Sequence, residues 1–469
     1  MFRRTWAGLP ADPEFPSDLK GLGYFVNEDD EIRSIENHEN YFKFFISRNP
    51  RWNERQRYAM NEACQKVVHS RLKSLGLEKH TLPLGHKDVT QPHLPIFASK
   101  NMSSATRIVL IFGESTQDLG ILAHRVLGGP GGVDKGSMVS IVQGILSQYA
   151  SRIDNNPPAV LLANCGQLMW LPALRKTLTP TGWGSTRMKS AVHTGNLYNR
   201  EVNSVPGNRT IEEHAQYIFE SVLPSLLSSA NSQTARIDVI GVGDGADAVE
   251  QYLDTDTGWR AWGHRLNCIA LVGGMHPAWG HRLNCIALVG GMHPAWEVQN
   301  PDFRVFLRER CRNYALSMEP LGTILSGPDG NPKTTAFTSL GCPVLSSGEA
   351  ANTECTLIEA GGMVLAWLQE VSEHTTTTTT ATSASVMTTN TYKNPDFEVT
   401  YADPDHGLSG PDADDDWRGW EPFEEGGAGE VPLLQASLSA AILEDYGSAA
   451  SGKTGVAQGL CEDVRVEVA

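Results

Sequence analysis

The chain has 469 residues, 40% of them hydrophobic and 20% charged, and a formal net charge of −16. That length suits one large domain with a tail, or two domains. Three classes are disfavoured: no apolar run has bilayer length, the basic N-terminus lacks the apolar core of a secretory signal, and no basic stripe is present to hold phosphates.

The charge is uneven. From Glu373 onward 18 acidic residues face 4 basic ones, which leaves the preceding body near −2. Any link to nucleic acid is therefore expected to run through a protein partner. The eight cysteines are scattered without a C-x-x-C pair, the pattern of buried free thiols in a reducing compartment.

Along the chain, residues 1–20 are Pro-rich and irregular, and the hairpin pattern GYFVNEDDEIRSI follows, with its turn at Asn27 to Asp30. RWNERQRYAMNEACQKVVHSRLKSLG predicts a long helix ended by Gly76. The connector EKHTLPLGHKDVTQPH holds His80, His86 and His93, whose spacings of six and seven match no zinc module. RIVLIFG and PAVLLAN read as strands buried on both faces, with the helix SMVSIVQGILSQYA between them. TIEEHAQYIFESVLPSLLSS opens on a capping box, Thr210 with Glu213.

RIDVIGVGDGADAVEQYL then reads as strand, Gly-rich turn and helix. LNCIALVGG is a strand, PDFRVFLRERCRNYALS a helix, CPVLSSG a short strand and LIEAGGMVLAWLQEV a closing helix. Repeated strand–helix alternation predicts an α/β fold with a mostly parallel sheet flanked by helices over residues 21–372.

Residues 373–469 are expected to form a low-complexity, disordered acidic tail. One island in it, PLLQASLSAAIL, aligns Leu434, Leu438, Ala441 and Ile442 on a helical face, as a transient helix or a segment that folds on binding. GSAASGKT, Gly447 to Thr454, has full P-loop spacing, but no apolar strand leads into it, so it is read as a chance match.

Trp262 to Ala278 is repeated without change as residues 279 to 295. Two perfect copies are too few for a solenoid. Only Gly273 to Leu283 lies between the two strand cores, whereas adjacent parallel strands need a crossover of about a dozen residues or more. One copy is therefore expected to be displaced as a loop or a crowded edge, the product of a tandem duplication or of a gene-model artefact.

Ligands of such sheets bind beyond the C-terminal strand ends, so the turn Gly241-Val242-Gly243-Asp244-Gly245 is the candidate site. Its spacing misses the dinucleotide fingerprint, whereas its strand–turn–helix context fits a nucleophile elbow. No Ser, Cys or Thr occupies the turn. Asp244 and Asp247 are read as residues that favour the N-terminus of the next helix.

In the order and spacing of LGYFVNEDDEIRSIE, RWNERQRYAMNEA, RIVLIFG, EEHAQYIFESV, AVEQYL, FRVFLRERCRNYALSMEPL and CPVLSSG, residues 20–372 resemble the Argonaute-binding protein 2 domain family of fungi. Relatives of that family are animal cotranscriptional regulators and the C-terminal domain of some fungal histone deacetylases. The resemblance implies an α/β-hydrolase-like fold. Some animal members keep an H-S-Y-G-G elbow, and alignment on AVEQYL puts Val242 at its serine. Alignment on CIALVGGMH puts Gly290, or its copy Gly273, at the acid, with His293 retained. The family histidine falls at Asn352 or Thr353.

A hydroxyl nucleophile needs a base and an orienting acid within hydrogen-bond reach. The resemblance thus implies a non-catalytic scaffold that binds an Argonaute or a silencing or chromatin complex, in the nucleus and also in the cytoplasm. It implies no direct nucleic-acid or membrane contact, no cofactor and no metal. The alternative is a serine-type hydrolase or esterase with a divergent nucleophile, for which Ser115 is the nearest hydroxyl and His293 a leftover base. A nucleotide switch built on GSAASGKT is a third class.

Overall fold

The computed structural model describes residues 8–402 except 153, 194, 228–233, 274–282, 291–297, 299, 335–339 and 380–385. In chain order, β1 (Tyr24–Val26) and β2 (Ile32–Ser34) form the expected hairpin, followed by α1 (Pro50–Ser74), β3 (Leu77–Leu82), β4 (Leu94–Ser99) and β5 (Arg107–Phe112). Next come α2 (His124–Leu127), α3 (Gly132–Lys135), α4 (Met138–Leu146), β6 (Ala159–Leu162), the small pair β7 (Met169–Leu171) and β8 (Lys176–Leu178), and α5 (Pro180–Gly184).

The helix α6 (Ile211–Tyr217) runs on through a π-turn at Ile218–Val222 and a last turn at Leu223–Leu226. Pro224 lacks the N–H of a regular ladder, and the wider turn absorbs that loss. Then follow β9 (Arg236–Val242), α7 (Asp244–Leu253), α8 (Asp256–Trp262), β10 (Leu266–Val272), β11 (Cys285–Val289) and α9 (Pro301–Arg310). The remainder is β12 (Cys311–Ala315), β13 (Ile324–Ser326), β14 (Val344–Ser346), α10 (Thr353–Glu373) and a hairpin of β15 (Thr375–Thr379) and β16 (Val386–Asn390).

Ten of these strands build one sheet in the order β13-β14-β12-β11-β10-β9-β5-β6-β4-β3. The seven from β14 to β6 run parallel, while β4, β3 and β13 join antiparallel to their neighbours. Helices α1, α4 and α10 cover one face, and α6 to α9 cover the other. In β5 the alternation is complete: Val109 and Ile111 enter the first layer, and Ile108, Leu110 and Phe112 the second.

Three expectations are corrected. First, both copies of the repeat are strands: β10 and β11 lie side by side, parallel, with each residue paired to its own copy, Cys268 with Cys285 through Val272 with Val289. Because the copies match, Cys, Ala and Val face one layer and Ile and Leu the other in both strands, so neither exposes an apolar face. Second, Cys311 to Ala315 is not the end of a helix; it turns directly from α9 into β12, beside β11.

Third, the ordered body does not stop at 372. The threonine run pairs as β15, and Tyr392 and Asn394 pack on the body: Trp367 Nε1 and Arg312 Nη2 donate to Tyr392 Oη at 3.0 and 2.7 Å, and Asn394 Nδ2 donates to Arg308 O and Cys311 O at 3.1 and 2.9 Å. The irregular N-terminal stretch is also anchored. Asp12 accepts from Arg51 Nε at 2.9 Å and Nη2 at 2.7 Å and from Met188 N at 2.7 Å. The apolar island, with Leu434, and the GSAASGKT stretch lie outside the described residues.

The histidine-bearing connector holds one unexpected strand, β3, and leads into a second, β4, with His80 opposite Ile96. The His86 and His93 rings lie 4.9 Å apart at a tilt of 32°, and His93 meets Trp170 at 4.7 Å. Among the described residues, no three His, Cys, Asp or Glu side chains are arranged to hold a metal ion, and no helix is long and apolar enough to cross a membrane.

Candidate functional site

β9 lies in mid-sheet between β5 and β10, and its C-terminal end turns sharply into α7. The sharp residue is Gly243, with φ 53° and ψ −129°, a region essentially closed to other residues unless strain is tolerated. The position where a nucleophile would be displayed is therefore Gly243 rather than Val242. Val242 is the last residue of the strand, and its side chain is buried in the α1/α4/α10 layer.

Each glycine of the turn is required by a close approach. A Cβ on Gly241 would stand 2.5 Å from Ala246 Cα, and one on Gly245 would stand 2.4 Å from Gly113 O. A Cβ on Gly243 would meet Glu114 Cγ at 2.9 Å and Oε1 at 3.2 Å. The turn has the shape of an elbow, and the space above it is filled by a carboxylate-bearing side chain.

Glu114 follows the end of β5, next to the elbow strand. Burial pushes its pKa up, and the charges of Asp244 and Glu354 push it further, against hydrogen bonds from Gln117 and Thr116. Asp244 is the first residue of α7 and accepts a hydrogen bond from Ser115 Oγ. Asp247, in the same first helical turn, is raised by burial and by Asp244. Deeper along α7, Glu250 is pushed up to about 8 by burial, with Asp247 and Asp254 adding to it, so at neutral pH it is mostly protonated.

The other two triad positions meet farther along the strand ends. Gly273 and Gly290 end β10 and β11 with φ 74° and 69°, and their N–H groups donate to Val289 O and Tyr314 O, each at 2.8 Å. Thr353, at the start of α10, fills this corner: a Cβ on Gly290 would lie 3.1 Å from Thr353 Cγ2, and one on Gly273 4.0 Å. A methyl group and bare backbone stand at the positions that the family resemblance assigns to a base and an acid. Arg125 closes the rim, donating to Asn352 Oδ1 and, at 2.5 Å, to Glu354 Oε1.

The structure thus brings Ser115 to the elbow and Thr353 to Gly290, while His293 lies outside the described residues. Sequence reasoning missed Glu114, Arg125 and Glu354. Glu114 had only a partial signal, its place after a buried strand, because the sequence does not say which strand neighbours the elbow strand; Arg125 lies in α2, a single helical turn too short to show a period, and had none.

Chemically, acyl transfer needs donors aimed at the oxygen on which negative charge develops. Here Glu114, Asp244, Asp247 and Glu354 gather at the strand ends, and Glu114 occupies the space over the turn.

A model of the Arb2 domain matches residues 15–278 and 276–321, and the match breaks where the two copies of the repeat join. A cotranscriptional regulator ARB2A homolog of Xenopus tropicalis is 32% identical over 117 residues, which are 24% of this chain and 28% of that protein. The chain thus spans under a third of the length of that relative. The solved structure of esterase Est22 aligns over 69% of this chain and 91% of its own at 10% identity and a TM-score of 0.26. At that score the fold assignment rests on strand order and the elbow instead.

Proposed function

Because the chain belongs to the Arb2 domain family, we propose that it is a non-catalytic, hydrolase-like interaction protein that serves cotranscriptional or silencing-linked regulation. In this reading its partner is an Argonaute or a chromatin-modifying complex and its place of action the nucleus. The name of the Xenopus relative supports a regulatory role. The observation that carries the non-catalytic part is the elbow, where glycine holds the nucleophile's backbone geometry and Glu114 fills the space its side chain would need.

The hydrolase alternative has one point in its favour, the hydrogen bond from Ser115 Oγ to Asp244. A carboxylate there can accept the proton, but the same carboxylate beside Glu114 repels an oxyanion. A fluorophosphonate probe separates the readings. The full chain is expected to stay unlabelled; covalent labelling that disappears in Ser115→Ala would establish the hydrolase. Affinity purification from nuclear extract should recover an Argonaute or silencing component, and recovery of none removes that part of the proposal.

A further inference from the structure

The excursion between β7 and α6 carries a surface that the elbow does not use. Residues 172–209 contain six Lys and Arg but one carboxylate, Glu201, a surplus of positive charge in a chain whose net charge is −16. The same excursion exposes Leu174, Val192, Leu197, Tyr198 and Val202, with Leu197 91% open to solvent.

The backbone around Leu197 is nonetheless fixed. Trp183 Nε1 donates to Asn196 O at 3.0 Å, and the Trp183 ring meets Tyr198 edge-on at 5.8 Å. Asn196 Nδ2 donates to Thr186 Oγ1 at 2.7 Å, while the Asn203 side chain accepts from Asn199 N at 2.9 Å and donates to Trp170 O at 3.0 Å. A loop anchored on both sides of a solvent-exposed leucine forgoes burial that a lone molecule would gain from folding it inward.

Three carboxylates from elsewhere pair with cations of the excursion, and a fourth, Asp12, accepts from Met188 N at 2.7 Å while it is paired with Arg51. Glu62 binds Lys176, Glu14 meets Arg187 at 2.5 Å and Glu213 stands 3.9 Å from Arg200. The last two pairs are largely exposed, and such pairs are weak and screened, so the surface remains positive.

We propose that this loop docks an acidic protein segment studded with aliphatic side chains. The proposal rests on the reading of the chain as an interaction scaffold and adds the chemistry of its partner. Leu197 and Val202 supply apolar anchors, and Arg200 and Arg209 meet carboxylates around them, the arrangement of an interface with an apolar centre and a charged rim. RNA would satisfy the cations but has little use for exposed Leu and Val, since unpaired bases stack on aromatic rings and guanidinium planes. The aliphatic anchors therefore favour protein.

The test measures fluorescence anisotropy on the full chain with three probes: a labelled peptide of repeating Glu and Leu, its Lys–Leu counterpart, and oligouridylate. Saturable binding of the Glu–Leu peptide is expected, weakened at least tenfold by Leu197→Ser with Val202→Ser, and likewise by Arg200→Glu with Arg209→Glu. Both double variants should keep the parent's melting temperature. Three results overturn the proposal: no saturable binding of the Glu–Leu peptide, equal binding of the Lys–Leu peptide, or oligouridylate binding that only the charge variant loses. Fluorophosphonate labelling of the same preparation reports on the non-catalytic reading independently.

Discussion

His214 is fully buried and takes part in two hydrogen bonds that fix its neutral form. Its Nε2 accepts from Asn164 N at 3.1 Å, which leaves the proton on Nδ1 for Asn208 Oδ1 at 2.6 Å. Burial pushes its pKa down to about 3, and burial takes His69 to about 4 despite a bond to Leu119 O. Both folded values lie below the unfolded value of about 6.5. As pH falls through 6.5 the unfolded chain therefore binds protons that the folded one refuses, and stability declines from there down to the folded pKa. Each group contributes a slope of about 1.4 kcal/mol per pH unit within that window. Urea unfolding of His214→Asn should show a loss of about 1–3 kcal/mol at pH 7, and a smaller gap from the parent at pH 5, where the parent has begun to lose the His214 contribution. An equal gap at both pH values would refute this account.

β10 and β11 show how an unaltered copy is accommodated. At the lower end of the sheet, Arg107 Nε donates to Asp238 Oδ2 at 2.6 Å in a fully buried pair, and Asn267 Nδ2 donates to Asp238 Oδ1 at 2.6 Å. Asn284, the copy of Asn267, donates to Asn267 Oδ1 at 2.6 Å, so the duplicated polar group extends the ladder instead of being left unpaired. Deleting residues 279–295 is therefore expected to leave a cooperatively folding protein with nine strands in its main sheet, because β10 presents to β12 the residues that β11 now presents. Circular dichroism melting tests this, and a broad, non-cooperative transition would count against it. The long apolar or amphipathic elements were legible because their periods are strong: α1, α4, β5, β6 and the β9–α7 unit. The copy's placement was not, since crossover length argued against two strands while the in-register match of side chains, visible only in space, allowed them. β12 was missed because CRNYA carries no apolar run, and its strand state comes from the free edge of β11.

Two terminal segments close the molecule from outside the strand–helix pattern. The arm around Asp12 ties α1 to the loop after α5, since Arg55 also donates to Pro13 O and Ser185 O at 3.2 and 2.6 Å. Burial alone would raise the Asp12 pKa, but Arg51 and Met188 N–H outweigh it and hold the carboxyl below its usual range. At the other end, Asn394 satisfies the exposed carbonyls where α9 gives way to β12 and accepts from Arg312 Nε at 3.1 Å. Asn394→Ala should cost about 1–3 kcal/mol in denaturant unfolding, from several hydrogen bonds lost at a helix end; an unchanged midpoint would show the strap to be ornamental. Neither segment was legible, because both act through single polar residues in low-complexity sequence. The elbow itself was legible as a turn without a nucleophile, but the backbone angle moved the key position by one residue, and Glu114 appeared only when β5 came to lie beside β9. The extra strand has a geometric consequence. Thr353 now stands closer to the end of the second copy than to the first, and each added strand pushes everything beyond it about 4.8 Å from the elbow. A serine at Gly243, an acid at Gly290 and a histidine at Thr353 would therefore lie on a sheet one strand wider than a chain with a single copy would build.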